Sequence, residues 1–182
     1  MNQAVLDFTK ENLTAERVAG KAVLEVGSKP FNGSVRPGLE VLGPERYVGV
    51  DLEAGESVDV VQDAAHLTDR FSENDWDIVI STELLEHVFD WRAVIQGLKA
   101  VCKEGGFLIL TTRSPGFALH RMPEDFWRFT KGQVRAMFSD WDVLDLRDDW
   151  IGPGVLLFAK KPLAGDVLEP ADLSKIEPVR VG

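Results

Sequence analysis

Residues 22–33 read AVLEVGSKPFNG, and this stretch decides the fold class. Its first five residues are apolar except for Glu25, a pattern typical of a strand that is covered on both faces of a parallel sheet. Gly27 ends the strand, because glycine permits a tight turn and leaves room beside the backbone. A loop from Ser28 to Gly33 follows the carboxyl end of the strand. The stretch therefore predicts the opening strand and loop of an α/β fold.

Similar β-prone runs recur along the chain and alternate with helical segments. One helix is expected after Asp90, a good N-cap, with Gly105-Gly106 as its stop, and another after Thr130, which has capping-box spacing to Gln133. A less regular helical stretch precedes the first strand, at about residues 3–18, with a break near residues 12–14. Four further strands are predicted at residues 47–50, 58–61, 77–80 and 107–111.

Two last strands close the sheet, at about residues 141–146 and 155–160. The loop between them is too short for a parallel crossover, so this pair is expected to be antiparallel. The whole pattern predicts a doubly wound, mainly parallel sheet with an antiparallel C-terminal hairpin. We expect a single domain over residues 1–161, followed at 162–182 by an irregular tail that contains three prolines.

Composition narrows the class of protein. The chain has 182 residues and a net charge of −10, which disfavours nucleic acid as a partner because phosphates attract positive charge. No run approaches the roughly 18 apolar residues of a membrane span, and the start does not resemble a signal peptide. A lone cysteine, Cys102, excludes an internal disulfide. These features favour a cytoplasmic protein without membrane partners, and they leave a homo-oligomer open.

Ligands of open parallel sheets bind outside the carboxyl ends of the strands, so the residues at those ends are candidate binding residues. Glu25 could accept hydrogen bonds from a cationic amino group, Asp51 from both hydroxyls of a ribose, and Asp63 from an adenine amino group. Singly, each aspartate also fits a turn or a helix cap. Taken in order, the residues that follow the first four strands indicate a nucleoside site: Gly27, Ser28, Asp51, Leu52, Asp63, Ala64, Thr82 and Glu83.

Five motifs resemble, in order, the landmarks of class I S-adenosylmethionine-dependent methyltransferases of the methyltransferase type 11-like group: VLEVG at 23–27, YVGVD at 47–51, DAAHL at 63–67, LEHV at 85–88 and KEGG at 103–106. The resemblance is closest to the branch that includes ubiquinone and menaquinone biosynthesis enzymes. It implies a Rossmann-like sheet of seven strands and S-adenosylmethionine as the cofactor, bound by the strand-end residues above and by Glu25. The second and third glycine positions of the family's loop hold Lys29 and Phe31 here, which also argues against a nicotinamide dehydrogenase.

The segment after the fifth strand carries the first catalytic candidate and the acceptor candidates, because the resembling family places substrate-facing loops there, whereas the second catalytic candidate follows the fourth strand. An imidazole can act as a general base near neutral pH, so His120 is the first candidate and His87 the second. Arg128 could bind an anionic group and Trp127 could shape the wall of the site. The alternative is that the aromatic residues anchor the loop and Arg128 pairs with Asp125.

Three functions are compatible with these residues. The first is methylation of a small-molecule acceptor, with O-methylation slightly favoured. The second is a metal-assisted, catechol-type O-methyltransferase in which Glu83, Glu86 and His87 bind a divalent cation, since a similar Glu-x-x-Glu-His is linked to magnesium in quinone O-methyltransferases. We favour the hypothesis without a metal, in which Glu86 and His87 only orient the loop under the methionine part of the cofactor. The third is a non-catalytic or regulatory protein that keeps the fold, suggested by Lys29 and Phe31.

Overall fold

A computed structural model describes residues 1–166 and 168–181. Its main feature is a sheet of seven strands in the order β3-β2-β1-β4-β5-β8-β7. A separate pair of short strands, β6 and β9, lies outside this sheet. The strands are β1 Ala22–Val26, β2 Arg46–Asp51, β3 Val60–Val61, β4 Trp76–Thr82, β5 Cys102–Arg113, β6 Trp127–Arg128, β7 Asp142–Asp148, β8 Gly154–Lys160 and β9 Val179–Arg180.

The sheet confirms the predicted architecture. Strands β3, β2, β1, β4 and β5 are parallel, and β8 pairs antiparallel with both β5 and β7. The chain builds outward from β1 through β2 to β3 and then returns to the other side of β1 with β4. Strand order therefore reverses between β1 and β4, and a crevice forms outside the carboxyl ends of these two strands.

The predicted N-terminal capping signals of two helices are confirmed, but the first of them ends at Val101, and its expected stop at Gly105-Gly106 lies inside the following strand. Asp90 accepts a hydrogen bond from the Ala93 amide at 3.1 Å, and Thr130 forms a reciprocal capping box with Gln133. None of the helices within residues 1–166 and 168–181 is long and apolar enough to cross a membrane. The helices are α1 Gln3–Asn12, α2 Ala15–Val18, α3 Arg36–Glu40, α4 Trp91–Val101 and α5 Lys131–Met137.

Two apolar clusters cover the two faces of the central strands. In β1, Leu24 and Val26 pack into the larger cluster with α4 and α5, whereas Val23 faces the smaller one with α1. Alternate residues of one strand thus enter opposite clusters. Because both faces of the central strands are buried, the sequences of these strands are continuous apolar runs. The predicted break near residues 12–14 separates α1 from α2.

Ordered structure near the C-terminus was not anticipated by the sequence analysis. Strand β9 pairs antiparallel with β6, and Leu173 and Ile176 are buried in the larger cluster. Arg92 on α4 donates to the carbonyl oxygens of Leu173 at 3.1 Å and Ile176 at 2.9 Å. These contacts hold residues 173–180 against α4 and against the strand that contains Trp127.

Candidate functional site

A cavity of about 640 Å³ opens at the carboxyl ends of β1, β2 and β4. Its volume lies within the range of small-molecule sites. All nine residues that the sequence indicated for the cofactor line this cavity, together with both candidate catalytic histidines. Sequence reasoning missed several other lining residues, namely Met1, Gln62, Phe89, Arg113, Phe117, Met122 and Pro123.

The turn after β1 requires glycine. Gly27 has φ +84°, and a Cβ atom there would lie 3.1 Å from the Leu84 side chain. Any other residue would meet both backbone strain and a steric conflict. The amides of Gly27 and Ser28 donate to the Val50 carbonyl at 2.8 and 3.0 Å, which places this turn beside the end of β2.

Asp51 stands at the end of β2 and ties the loop after β1 to the cavity. One of its carboxylate oxygens, Oδ2, accepts a hydrogen bond from the Lys29 amide at 3.0 Å. The Lys29 ammonium lies 2.8 Å from Glu53 rather than across the cavity, and Phe31 is 47% exposed. Because the cavity keeps its volume with both side chains in its wall, the altered glycine loop leaves room for a ligand.

Asp63 combines a capping role with a position at the cavity. Its Oδ1 accepts from the Ala65 amide at 2.9 Å, so the side chain caps the 3-10 helix Ala64–Asp69. The Gln62 amide donates to the Asp51 carbonyl at 2.9 Å and thereby joins the two acidic segments. The helix-cap alternative is therefore true of Asp63, and its exposed side chain still lines the cavity.

Glu25 lies at the base of the cavity and is only 1% exposed. The Tyr47 hydroxyl donates to Glu25 Oε2 at 2.7 Å. Burial raises the pKa of Glu25 to about 7, although the Tyr47 hydrogen bond and the Arg36 cation act in the opposite direction. This carboxyl group can therefore be protonated or ionised near neutral pH.

Glu83 faces a different set of partners from the one expected for a metal ligand. Its carboxylate pairs with the Arg113 guanidinium and accepts from the Thr111 hydroxyl at 3.3 Å. Burial and the neighbouring Glu86 raise the pKa of Glu83 to about 7, whereas Arg113 lowers it. The structure thus corrects the set of Glu83, Glu86 and His87, because Glu83 pairs with Arg113, and the group of possible metal ligands that forms among the described residues contains His120 in its place.

A different trio comes together beside the cavity, and two of its members, His87 and His120, line it. Glu86, His87 and His120 each offer a ligand atom, and these atoms lie within 4.8 Å of one another. Glu86 is fully buried, which raises the pKa of its carboxyl group, and its Oε2 accepts from the Thr112 hydroxyl at 2.8 Å. Its other oxygen, Oε1, makes no hydrogen bond within residues 1–166 and 168–181.

The two histidines are oriented by the loop after β5. Nδ1 of His87 lies 2.5 Å from the Glu124 carbonyl, which can only accept, so this nitrogen carries the hydrogen. The rings of His87 and His120 contact edge to face, with centroids 4.8 Å apart. Burial and the neighbouring His87 lower the pKa of His120, although Asp125 acts in the opposite direction. The lowered pKa favours the neutral form of the His120 imidazole.

The structure corrects the expectation that Arg128 and Trp127 face an acceptor, because neither lines the cavity. Arg128 is 1% exposed and pairs with Asp125, as the alternative interpretation held. The Trp127 indole donates to the carbonyl oxygens of Val88 at 3.1 Å and Phe89 at 3.2 Å. Both residues support the wall from behind.

Two buried hydroxyl groups in the cavity wall suit a polar ligand. Neither Ser28 Oγ nor Thr82 Oγ1 has a hydrogen-bond partner in the part of the chain that the structure describes. Such buried, unpaired groups carry a free-energy cost unless a ligand or water satisfies them. With the carboxylates of Asp51, Asp63 and Glu25, they offer acceptors for the ribose hydroxyls, the adenine and the amino group of S-adenosylmethionine. The residues present therefore fit this cofactor.

The curated proteins that resemble this chain include O-methyltransferases. The Shewanella sp. (strain ANA-3) protein "Ubiquinone biosynthesis O-methyltransferase" is 33% identical over 110 residues, which are 54% of this chain and 46% of that protein. The chain thus spans about half the length of the curated relatives it matches.

Solved structures share the fold. A Burkholderia thailandensis 1,6-didemethyltoxoflavin-N1-methyltransferase with bound S-adenosylhomocysteine has a TM-score of 0.67 at 14% identity, covering 88% of this chain and 79% of that one. An S-adenosylmethionine-dependent methyltransferase from Aquifex aeolicus has a TM-score of 0.64 at 15% identity, covering 86% of this chain and 90% of that one.

A family model places the chain among known proteins. The profile of the family described as "Methyltransferase domain" matches residues 1–153. The chain therefore belongs to the methyltransferase domain family, and it has the fold of solved S-adenosylmethionine-dependent methyltransferases.

Proposed function

We propose that this protein transfers the methyl group of S-adenosylmethionine to a hydroxyl group of a small-molecule acceptor. One observation carries the proposal: a single cavity is lined both by Gly27, Asp51 and Asp63 and by His87 and His120. The first group suits a nucleoside, and the second suits a proton-accepting step. The O-methyltransferase named among the relatives supports the choice of oxygen as the nucleophile.

At the cofactor end, the acids of this chain provide binding and orientation. S-adenosylmethionine supplies a methyl group that its sulfonium has already activated. Asp51 accepts from the ribose hydroxyls, and Asp63 accepts from the adenine amino group. Ser28 and Thr82 offer their unpaired hydroxyls to the remaining polar atoms. The protein then has mainly to position the acceptor and to exclude water.

At the acceptor end, aromatic and apolar residues surround the histidines. Phe89, Phe117 and Met122 line this part of the cavity and suit a flat, largely apolar acceptor. A hydroxyl nucleophile arrives protonated, so a base has to remove its proton. His120 takes this role because the lowered pKa keeps its imidazole neutral and able to accept a proton at pH 7. His87 is the second candidate.

Calorimetry with S-adenosylhomocysteine tests the cofactor half of the proposal. We expect one site per chain with a dissociation constant in the micromolar range. Mass spectrometry after incubation with S-adenosylmethionine and a panel of catechols, phenols, amines and thiols then identifies the nucleophile. Binding with transfer to oxygen supports the proposal. Failure to bind the cofactor contradicts it and favours a regulatory protein that keeps the fold.

A metal-assisted O-methyltransferase is the second candidate. It is favoured by the convergence of Glu86, His87 and His120 and by the unpaired Oε1 of the buried Glu86. Two imidazoles and one carboxylate form a donor set that suits several divalent metals. Treatment with EDTA followed by addition of Mg²⁺, Mn²⁺ or Zn²⁺ separates the candidates. Lost and restored activity supports metal assistance, and unchanged activity supports His120 acting as a base alone.

A further inference from the structure

A buried carboxylate lies directly behind His120. The Asp125 side chain is 0% exposed, and both of its oxygens accept hydrogen bonds from Arg128, at 2.5 and 2.7 Å. Oδ2 also accepts from the backbone amide of His120 at 2.8 Å and lies 3.1 Å from Nδ1 of the same residue. The carboxylate thus contacts both the backbone and the ring of the proposed base.

Arg128 fixes the position and the charge of this carboxylate. Its guanidinium also donates to the carbonyl oxygens of Phe117 at 3.3 Å, Ala118 at 3.0 Å and Trp127 at 2.7 Å. The two hydrogen bonds from the Arg128 guanidinium and the one from the His120 amide stabilise the ionised form of the Asp125 carboxyl group. The carboxylate is therefore ionised and can only accept hydrogen bonds.

Aromatic neighbours hold the His120 ring on two sides. The Phe117 ring contacts it edge to face at 5.0 Å, and the His87 ring at 4.8 Å. Nδ1 of His120 is not aligned for a hydrogen bond within the described residues, although it lies 3.1 Å from Oδ2 of Asp125. A small rotation of the ring brings the N–H onto the carboxylate, and such catalytic hydrogen bonds commonly tighten when a substrate binds.

We propose that Asp125 is a positioning residue that keeps the hydrogen of neutral His120 on Nδ1 and so leaves Nε2 free to accept the proton of the acceptor hydroxyl. This inference rests on the proposed function of His120 as the base. As the bond between oxygen and methyl carbon forms and the bond between carbon and sulfur breaks, Nε2 takes the hydroxyl proton. The resulting imidazolium is stabilised by Asp125, and its proton then passes to water.

The tautomer of His120 can be read directly by NMR, without any activity. Long-range ¹H–¹⁵N correlations of the ¹⁵N-histidine-labelled protein, assigned with His120→Gln, should show Nδ1 protonated and Nε2 unprotonated. In Asp125→Asn the amide can donate to Nδ1, so the Nε2-protonated tautomer should increase. Asp142→Asn removes an exposed carboxylate elsewhere and should leave the tautomer unchanged.

Kinetics with two acceptor probes distinguish positioning from simple structural support. Catechol arrives protonated at pH 7, whereas a large fraction of 4-nitrocatechol is already ionised. Asp125→Asn should lower kcat for catechol on the order of 10²-fold, with KM changed less than about threefold, because general base catalysis is worth this much. The loss for 4-nitrocatechol should be less than about fivefold. Asp125→Glu, which keeps the charge, should recover part of the catechol rate.

Three results would overturn the inference. They are an Nε2-protonated His120 in the wild-type protein, an unchanged tautomer in folded Asp125→Asn, or equal loss of kcat with both probes. If Asp125→Asn does not fold, the wild-type tautomer still decides. Failure of the proposed function has a different signature, because the wild-type protein would then not bind S-adenosylhomocysteine while the tautomer of His120 stays as stated.

Discussion

Replacing Asp51 with alanine perturbs cofactor binding at a single carboxylate. In the structure, Oδ2 accepts from the Lys29 amide, and the half-buried side chain lines the cavity where a ribose diol can reach it. A hydrogen bond to a charged group contributes about 1.5–3 kcal/mol, so Asp51→Ala should weaken S-adenosylhomocysteine binding by about 10- to 150-fold. Isothermal titration calorimetry at 25 °C measures this change.

Two controls separate binding from folding. Asp51→Ala also loses the Lys29 hydrogen bond, so the melting temperature of the free protein has to be compared with that of the wild type. Glu56→Gln removes an exposed carboxylate from the loop after β2 and should bind as the wild type does. An affinity for Asp51→Ala within twofold of the wild type, in a folded protein, would show that the ribose is held by other groups.

Gly27→Ala should lose about 1–3 kcal/mol of unfolding free energy in urea and bind S-adenosylhomocysteine more weakly, because a Cβ there meets Leu84. Gly43→Ala, at φ +73° in open space, should lose stability but keep its affinity. Equal binding by both variants would contradict this expectation. The pKa of Glu25 is about 7 in the folded protein and 4.5 in the unfolded chain. Between these pH values the folded state keeps a proton that the unfolded state loses, so the free energy of unfolding falls as the pH rises. Glu25→Gln should reduce that fall, by on the order of 3 kcal/mol, in urea denaturation at pH 5 and 8; an unchanged pH dependence would refute it. Arg92→Ala should speed amide hydrogen exchange over residues 173–181 because two carbonyl bonds are lost, and unchanged protection would contradict the role of Arg92.

The sheet could be predicted from sequence because local signals and packing agree there. The run of apolar residues in β1, the stop at Gly27 and the short loop between β7 and β8 each depend on nearby residues alone. The capping box at Thr130 formed as expected for the same reason. β3 is shorter than predicted, because the Asp59 carboxylate accepts from the Gly49 amide at 2.7 Å where the strand was expected to pair.

The surroundings of Glu83 and Arg128 could not be predicted, because they depend on contacts between distant segments. Glu83 pairs with Arg113 rather than with the other two members of the alternative metal set, and no spacing in the sequence predicts this pair. The pairing of β9 with β6 and the burial of Ile176 depend on how the chain returns across α4. A lone arginine such as Arg128 fits both a ligand-binding role and an internal ion pair, and only its burial decides between them.

A crystal structure of the protein with S-adenosylhomocysteine tests the central claim most directly. We expect the ribose hydroxyls at the Asp51 carboxylate, the adenine beside Asp63 and Ala64, and the sulfur directed toward His120. A nucleoside bound outside this cavity, or inside it with the ribose away from Asp51, would contradict the assignment of the site.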